Sequence, residues 1–295
     1  MKKVLLSIIG GLVLLAGLAL VCYPFISNYL MDQNQASQIT SQQTAIKNTS
    51  ESEIDKAFRD ARKYNKSLLG NIVLTDPFDP GFQDEKNPEY YNLLNLNHDS
   101  IMANIEIPKI RVNLPIFHGT SSEVLEKGAG HLQKTSLPVG GKNTHCVITG
   151  HTGLSTASLF TDISQLEKGD IFYINVLNKK LAYKVDKIQV VLPENTDPLR
   201  IVPNKDYVTL VTCTPYGVNS HRLLVRGERT SLKEAEKVEE KTPQIETLWM
   251  KKYKQGLIIG AISLAVILII FFTIRAIRRK KKKNKITNEA WKWKN

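Results

Sequence analysis

Two long apolar runs bracket the chain, and most hydrophobic positions between them alternate at strand spacing. The first run, VLLSIIGGLVLLAGLALVCYPFI, starts at Val4 behind Lys2 and Lys3, and the second, GLIIGAISLAVILIIFFTI, covers 256–274 without a charge. A helix crosses a bilayer with about 20 apolar residues, so each run is long enough to do so. The polar stretch MDQNQASQITSQQTAIKNTS after the first run reads as a stalk. In ESEIDKAFRDARKYNKSLL the residues Ile54, Ala57, Phe58, Ala61, Tyr64 and Leu68 keep helical spacing, with Ser50 or Ser52 as the cap and Gly70 as the stop. The next segment, NIVLTDPFDPGFQDEKNPEYYNLLNLNHD, is broken by prolines, and a loop of this length inside a compact domain is often functional.

From 100 to 230 the texture is β. In IMANIEIPKI the residues Ile101, Ala103, Ile105 and Ile107 share one face, and VNLPIFHG, HCVITGH, DIFYINVL, LAYKVDKIQVVL, YVTLVTC and RLLVRGE read as further strands. SLFTDISQLEKGD reads as a short helix and turn. Seven or so short strands predict a mostly β domain, a closed barrel or a sandwich. The charged segment SLKEAEKVEEK then leads toward the second apolar run. The expected organisation is an N-terminal signal anchor (1–30), a polar stalk with an amphipathic helix (31–70), a loop (71–99), a β domain (100–230), a second stalk (231–255), a transmembrane helix (256–274) and a basic tail (275–295).

Charge changes the picture in one respect. The net charge is +12, but the ten Lys and Arg of 275–295, against the single acid Glu289, account for +9 of it. The high charge is therefore a tail effect and gives the β domain no reason to bind nucleic acid. Basic residues flank both apolar runs on their terminal sides, which predicts both termini in the cytoplasm and the β domain outside the cell. The first run also fits a cleaved signal peptide, but no small-x-small site follows it, which favours a retained anchor.

Three cysteines occur, and Cys22 lies in the first apolar run. Cys146 sits mid-strand in HCVITG, where a thiol is ordinarily filler, whereas Cys213 ends the strand TLVTC and is followed by the turn PYG. At a pKa of about 8.5 only about 3 % of a thiol is ionised at pH 7, so a nucleophilic cysteine needs a proton acceptor or a cation beside it. Among six histidines, His151 ends another apolar strand in VITGHTG; His221 is the second candidate base, and His131 reads as structural. Arg222 follows Cys213 by nine residues, so a hairpin would return it beside the cysteine, where it could stabilise an oxyanion. No acidic residue stands out to orient the histidine, which fits a Cys-His-Arg site. No metal-ligand cluster and no cofactor motif is evident.

GHTG with His151, TLVTC with Cys213 and HRLLVRG with Arg222, in this order and spacing, together with GAGHLQKTSLPVGG, resemble the sortases over about 100–230. The resemblance implies an eight-stranded closed β-barrel with short helices. It also implies a cysteine transpeptidase with Cys213, His151 and Arg222 as catalytic residues and no cofactor. Asp76, Pro77 and Phe78 in TDPFDP, together with the second apolar run, resemble the pilus-assembly class, class C. In that class a lid aspartate pairs with the arginine and an aromatic ring covers the cysteine. Implied partners are pilin or surface-protein substrates with an LPXTG-like motif and a lysine amine of another pilin. Three alternatives stay open: a housekeeping sortase acting on peptidoglycan, a hydrolytic cysteine peptidase, and a non-catalytic tethered β domain.

Overall fold

The computed structural model describes residues 2–68, 74–79, 81–154 and 157–292. The helix stop expected at Gly70, the first residues of the 71–99 loop and the last residues of the basic tail lie outside them. The chain divides into two units, Met1–Ile245 and Glu246–Asn295. The second unit consists mainly of one helix, α6 (Leu248–Lys292). The first opens with α1 (Lys2–Asn48) and α2 (Glu51–Ser67). Segments of α1 (Ile8–Asn48) and α6 (Met250–Ile277) are long and apolar enough to cross a membrane.

Eight strands form a closed barrel: β1 (Ile101–Ile107), β2 (Val112–His118), β3 (Ala129–His131), β4 (Thr144–Thr149), β5 (Ile171–Val176), β6 (Lys179–Val191), β7 (Asp206–Thr214) and β8 (His221–Thr230). Their order around the barrel is β1-β2-β3-β4-β7-β8-β6-β5, with β5 pairing back onto β1. Period-2 alternation sorts the side chains of β7 and β8. Val208, Leu210, Leu223 and Val225 join the main core, while Val211 and Leu224 join a second apolar cluster with Leu132, Val147 and Leu199. The three-residue β3 has no counterpart in the sequence reading, because so short a strand carries no periodicity.

The polar segment behind the first apolar run is not a free-standing stalk. It continues α1, and Gln35, Ile39 and Gln42 are buried. Gln35 donates to the Lys127 carbonyl (3.0 Å) and Gln42 to the Ile101 carbonyl (3.0 Å). A glutamine that caps a distant carbonyl looks, in sequence, like one facing water. In α2 the Ser50 side chain and Glu53 form a reciprocal capping box. Burial of Ile54, Phe58 and Ala61 fastens the helix to the barrel, and a fully buried Phe contributes about 1.5–3 kcal/mol. Asn65 clamps Leu137, accepting from its N–H (2.7 Å) and donating to its carbonyl (3.2 Å).

Likewise the segment after β8 is docked. Helix α5 (Leu232–Glu239) buries Ala235, Tyr173 donates to Glu239 (2.6 Å), and the Ile245 N–H reaches the Lys109 carbonyl (2.9 Å). Between α2 and β1 the loop is interrupted by α3 (Pro88–Asn92), capped by Asn87 with Pro88 in its first turn.

Candidate active site

The antiparallel register of β7 and β8 sets Cys213 directly opposite Arg222. Alternation turns both side chains to the same side of the sheet as Val211 and Leu224, away from the main core. His151 comes from the adjacent strand: β4 runs parallel to β7 with Thr149 opposite Val211. Two bonds extend that pairing into the loop. The Gly150 N–H donates to the Val211 carbonyl (3.0 Å), and the Thr212 hydroxyl donates to the Gly150 carbonyl (2.7 Å). Gly150 is required here, since a Cβ would meet the Phe160 ring at 2.7 Å.

Asp76 reaches Arg222 from the long loop. Arg222 donates from Nε to Asp76 Oδ1 (2.8 Å) and from Nη2 to Oδ2 (2.6 Å), a two-pronged charge-assisted pair. Its Nη1 donates to the carbonyls of Asn219 (2.9 Å) and His221 (3.1 Å). Arg222 and Asp76 are only 8 % and 9 % exposed. Pro77 is buried beside them. The half-buried Phe78 ring lies 5.6 Å from the His151 ring centre to centre, and 5.1 Å from the Arg222 guanidinium carbon. Leu74, Phe78 and Phe82 cover the second apolar cluster, and the Thr196 hydroxyl donates to the Leu74 carbonyl (3.3 Å).

The resulting electrostatics disfavour ionisation of the thiol. Burial pushes the Cys213 pKa up to about 11; the Arg222 charge opposes this and the Asp76 charge reinforces it. Burial lowers the pKa of His151, against a weak opposing pull from Glu126. With the loop in place, the pair is a neutral thiol and a neutral imidazole, and the arginine is occupied. The arrangement sets a buried thiol opposite a guanidinium on neighbouring strands, with an imidazole just past the end of a third.

The other sulfur and imidazole groups are used differently. Cys146 is buried mid-strand and its thiol is pushed far up by burial. His221 hydrogen-bonds Ser220 (2.9 Å). His131 is fully buried; its Nε2 donates to the Ser136 carbonyl (2.9 Å), which leaves Nδ1 to accept from the Tyr90 hydroxyl (2.9 Å).

Sequence reasoning missed the support behind the loop. Asp84 accepts from the N–H groups of Thr120 (2.8 Å) and Ser121 (2.8 Å), and a Cβ at Gly119, whose φ is +77°, would collide with its carboxylate. Glu85 and Gln133 exchange backbone-to-amide bonds of 2.7 and 3.0 Å. The Tyr90 hydroxyl accepts from the Gly119 N–H (2.9 Å). Of these only Gln133 lies in a motif quoted above, and nothing in that motif points to Glu85.

A closed barrel that brings a cysteine, a histidine and an arginine together at the ends of neighbouring strands is an arrangement able to carry out cysteine acyl transfer. The Sortase domain family matches residues 105–230. The chain is 50 % identical to the solved sortase C-1 of Actinomyces oris, with a TM-score of 0.58, covering 61 % of this chain and 99 % of that one. It is 46 % identical to the pilus-related sortase C of Group B Streptococcus, with a TM-score of 0.60, covering 64 % of this chain and 95 % of that one. Sortase A of Streptococcus agalactiae is 31 % identical over 158 residues, which is 52 % of this chain and 62 % of that relative, so the chain spans less than two thirds of its length. The chain belongs to the sortase family of cysteine transpeptidases, and its solved neighbours are class C pilin sortases.

Proposed function

We propose that the protein is a membrane-anchored pilus-assembly sortase with a lid loop that masks its active site. Once the lid opens, the Cys213 proton passes to His151, and the resulting thiolate attacks the threonine carbonyl of an LPXTG-like sorting signal on a pilin. The Thr–Gly C–N bond breaks, a thioester forms, and the glycine amine leaves with a proton from His151. A lysine amine of another pilin then attacks the thioester, gives its proton to His151, and releases the Cys213 thiolate as an isopeptide bond forms. Arg222 holds the substrate carbonyl and its developing negative charge.

Asp76, Pro77 and Phe78 act as the lid. Lid opening removes a negative charge and part of the burial from Cys213, both of which raise its pKa, and it frees Arg222. The observation that carries this reading is the Cys213–Arg222 register pair with Asp76 doubly bonded to the arginine. Both termini lie in the cytoplasm and the barrel outside, by the positive-inside rule.

The test is intact-mass spectrometry of the Phe78→Ala protein mixed with an LPXTG-type peptide. A gain equal to the peptide's acyl fragment, lost in Cys213→Ala and discharged by a lysine-bearing pilin fragment, supports the reading. Discharge only by a lipid II-like amine would point instead to cell-wall anchoring, and discharge only by water to a hydrolase.

A further inference from the structure

The sheet face that carries Cys213 and Arg222 holds a further polar side chain. Strand β4 runs parallel to β7, and its Cys146 and Ile148 enter the main core level with Val208 and Leu210. Val147 takes the opposite side and joins the second apolar cluster with Val211. Thr149, level with Val211, follows the same alternation. It therefore stands between Val147 and His151 along the chain and beside Val211 across the sheet, one step on that face before Cys213. On its other flank the β3 residue level with it is Gly130, which has no side chain.

Thr149 is fully buried, and its hydroxyl has no hydrogen-bond partner among the described residues. The buried threonines beside it on β7 are paired: the Thr209 hydroxyl with His145 Nε2 (2.7 Å) and the Thr212 hydroxyl with the Gly150 carbonyl (2.7 Å). Buried polar groups in native proteins are nearly always paired, so an unpaired one calls for a reason. Packing does not supply it, because valine has the same shape, suits a strand and leaves nothing unsatisfied.

The position supplies it. The loop that holds Asp76 lays Leu74, Phe78 and Phe82 against the apolar cluster on this face, and Phe78 also lies against the His151 ring. None of these three side chains has a donor or an acceptor to offer a hydroxyl. A peptide in the same place has both at every residue, in its backbone N–H and C=O. Two residues of a strand span about 6.6 Å, so the hydroxyl stands about two residues of extended peptide from the level of Cys213.

We propose that the Thr149 hydroxyl is a substrate contact, kept for a backbone amide of the sorting peptide about two residues from the scissile bond, and that it sets the register of the peptide over Cys213. This rests on the transpeptidase reading above and adds to it a residue that positions the substrate. While the loop covers the face the hydroxyl goes without a partner, and the peptide that displaces the loop provides one. The contact thus favours the open, loaded state over the closed, empty one.

The test uses the full chain in detergent micelles, with Phe78→Ala to loosen the lid. Thr149→Val and Thr149→Ser are compared with that parent in two rates: acyl-adduct formation with an LPXTG-type peptide, read by intact mass, and alkylation of Cys213 by iodoacetamide. Thr149→Val slows acylation about tenfold, the effect of one lost hydrogen bond, while alkylation stays within about twofold. Thr149→Ser recovers most of the loss. Esters are then substituted for the amides of the peptide one at a time; one of them slows the parent and costs Thr149→Val nothing further. Unchanged acylation in Thr149→Val overturns the proposal, as does an equal fall in alkylation, or the lack of any ester that behaves in this way. No adduct in the parent overturns the transpeptidase reading and the proposal with it. Independently of any peptide, Thr149→Val in the otherwise unaltered chain melts at or above the parent temperature, since the hydroxyl has no bond to lose. A lower melting temperature would give the hydroxyl a structural role and end the proposal.

Discussion

The two halves of the loop between α2 and β1 are both held by an aspartate, but to different ends. Asp76 grips the side chain of Arg222, the group assigned to the substrate carbonyl in the proposed function. Asp84 grips the backbone N–H groups of Thr120 and Ser121, which have no other role. Around Asp76 the other contacts include ring faces, a bond from Thr196 to the Leu74 carbonyl and one from the Asp79 N–H to the Asp76 carbonyl. Around Asp84 they are hydrogen-bonded pairs with Gln133 and a fully buried Tyr90. On the proposed function, the first half is a latch on the reactive centre and the second is its hinge plate. A latch can release because opening exposes the arginine to substrate and water; releasing Asp84 would leave the N–H of the buried Thr120 without its partner.

The comparison presumes that the latch guards one thiol. Cys213→Ala abolishes acyl-adduct formation with a sorting peptide, read by intact mass, while Cys146→Ala leaves it intact. An adduct surviving in Cys213→Ala would break the comparison at its root.

Acid should loosen the barrel through two buried histidines, of which His131 lies beneath the hinge side and His145 bonds Arg200 and Thr209. His131, beneath Tyr90, has its pKa lowered by burial to about 3, and His145 to about 4. Both fold neutral, and the unfolded chain binds protons below pH 6.5, so stability is full above that value and falls as pH drops toward the folded values. The loss reaches roughly 5 kcal/mol by pH 4.5 at about 1.36 kcal/mol per unit for each histidine. Urea denaturation at pH 7.5 and 4.5 measures it; equal midpoints would contradict neutral burial.

Asp84→Ala costs about 1–3 kcal/mol of stability, for backbone donors left without a partner. It leaves the alkylation rate of Cys213 within about twofold of the parent, since no thiol contact is touched. Asp76→Asn does the reverse. Removing the charge that raises the Cys213 pKa speeds alkylation at neutral pH by about tenfold, the effect of one pKa unit. Thermal melts and alkylation time courses on the two proteins read the contrast directly, and matching phenotypes would erase it. Phe78→Ala gives the smallest change. Loss of its contact with the guanidinium, worth about 0.5–1 kcal/mol, speeds alkylation roughly two- to fivefold.

Legibility followed sequence distance. Cys213 and Arg222 could be paired on paper because a single hairpin joins them, and antiparallel register turns nine residues of separation into direct opposition. The apolar face of α2 was equally local. Asp84, Gln133 and the Tyr90–His131 bond were not legible, because each joins residues tens of positions apart and none has a side chain unusual for a polar loop. The polar half of α1 was misread as a stalk for the same reason, since Gln35 and Gln42 spend their amides on carbonyls that only the folded barrel brings near.

The sequence by itself determined the alternation that makes the strands, the two apolar runs, the tail charge and the strand-end positions of Cys213 and His151, all of which depend on neighbours within a few residues. Only the tertiary structure decided the closure of β5 onto β1, the grip of Asp76 on Arg222 and the docking of α1 against the barrel. Those depend on groups that meet only after the chain has closed, when burial turns a distant carboxylate or amide into the one available partner.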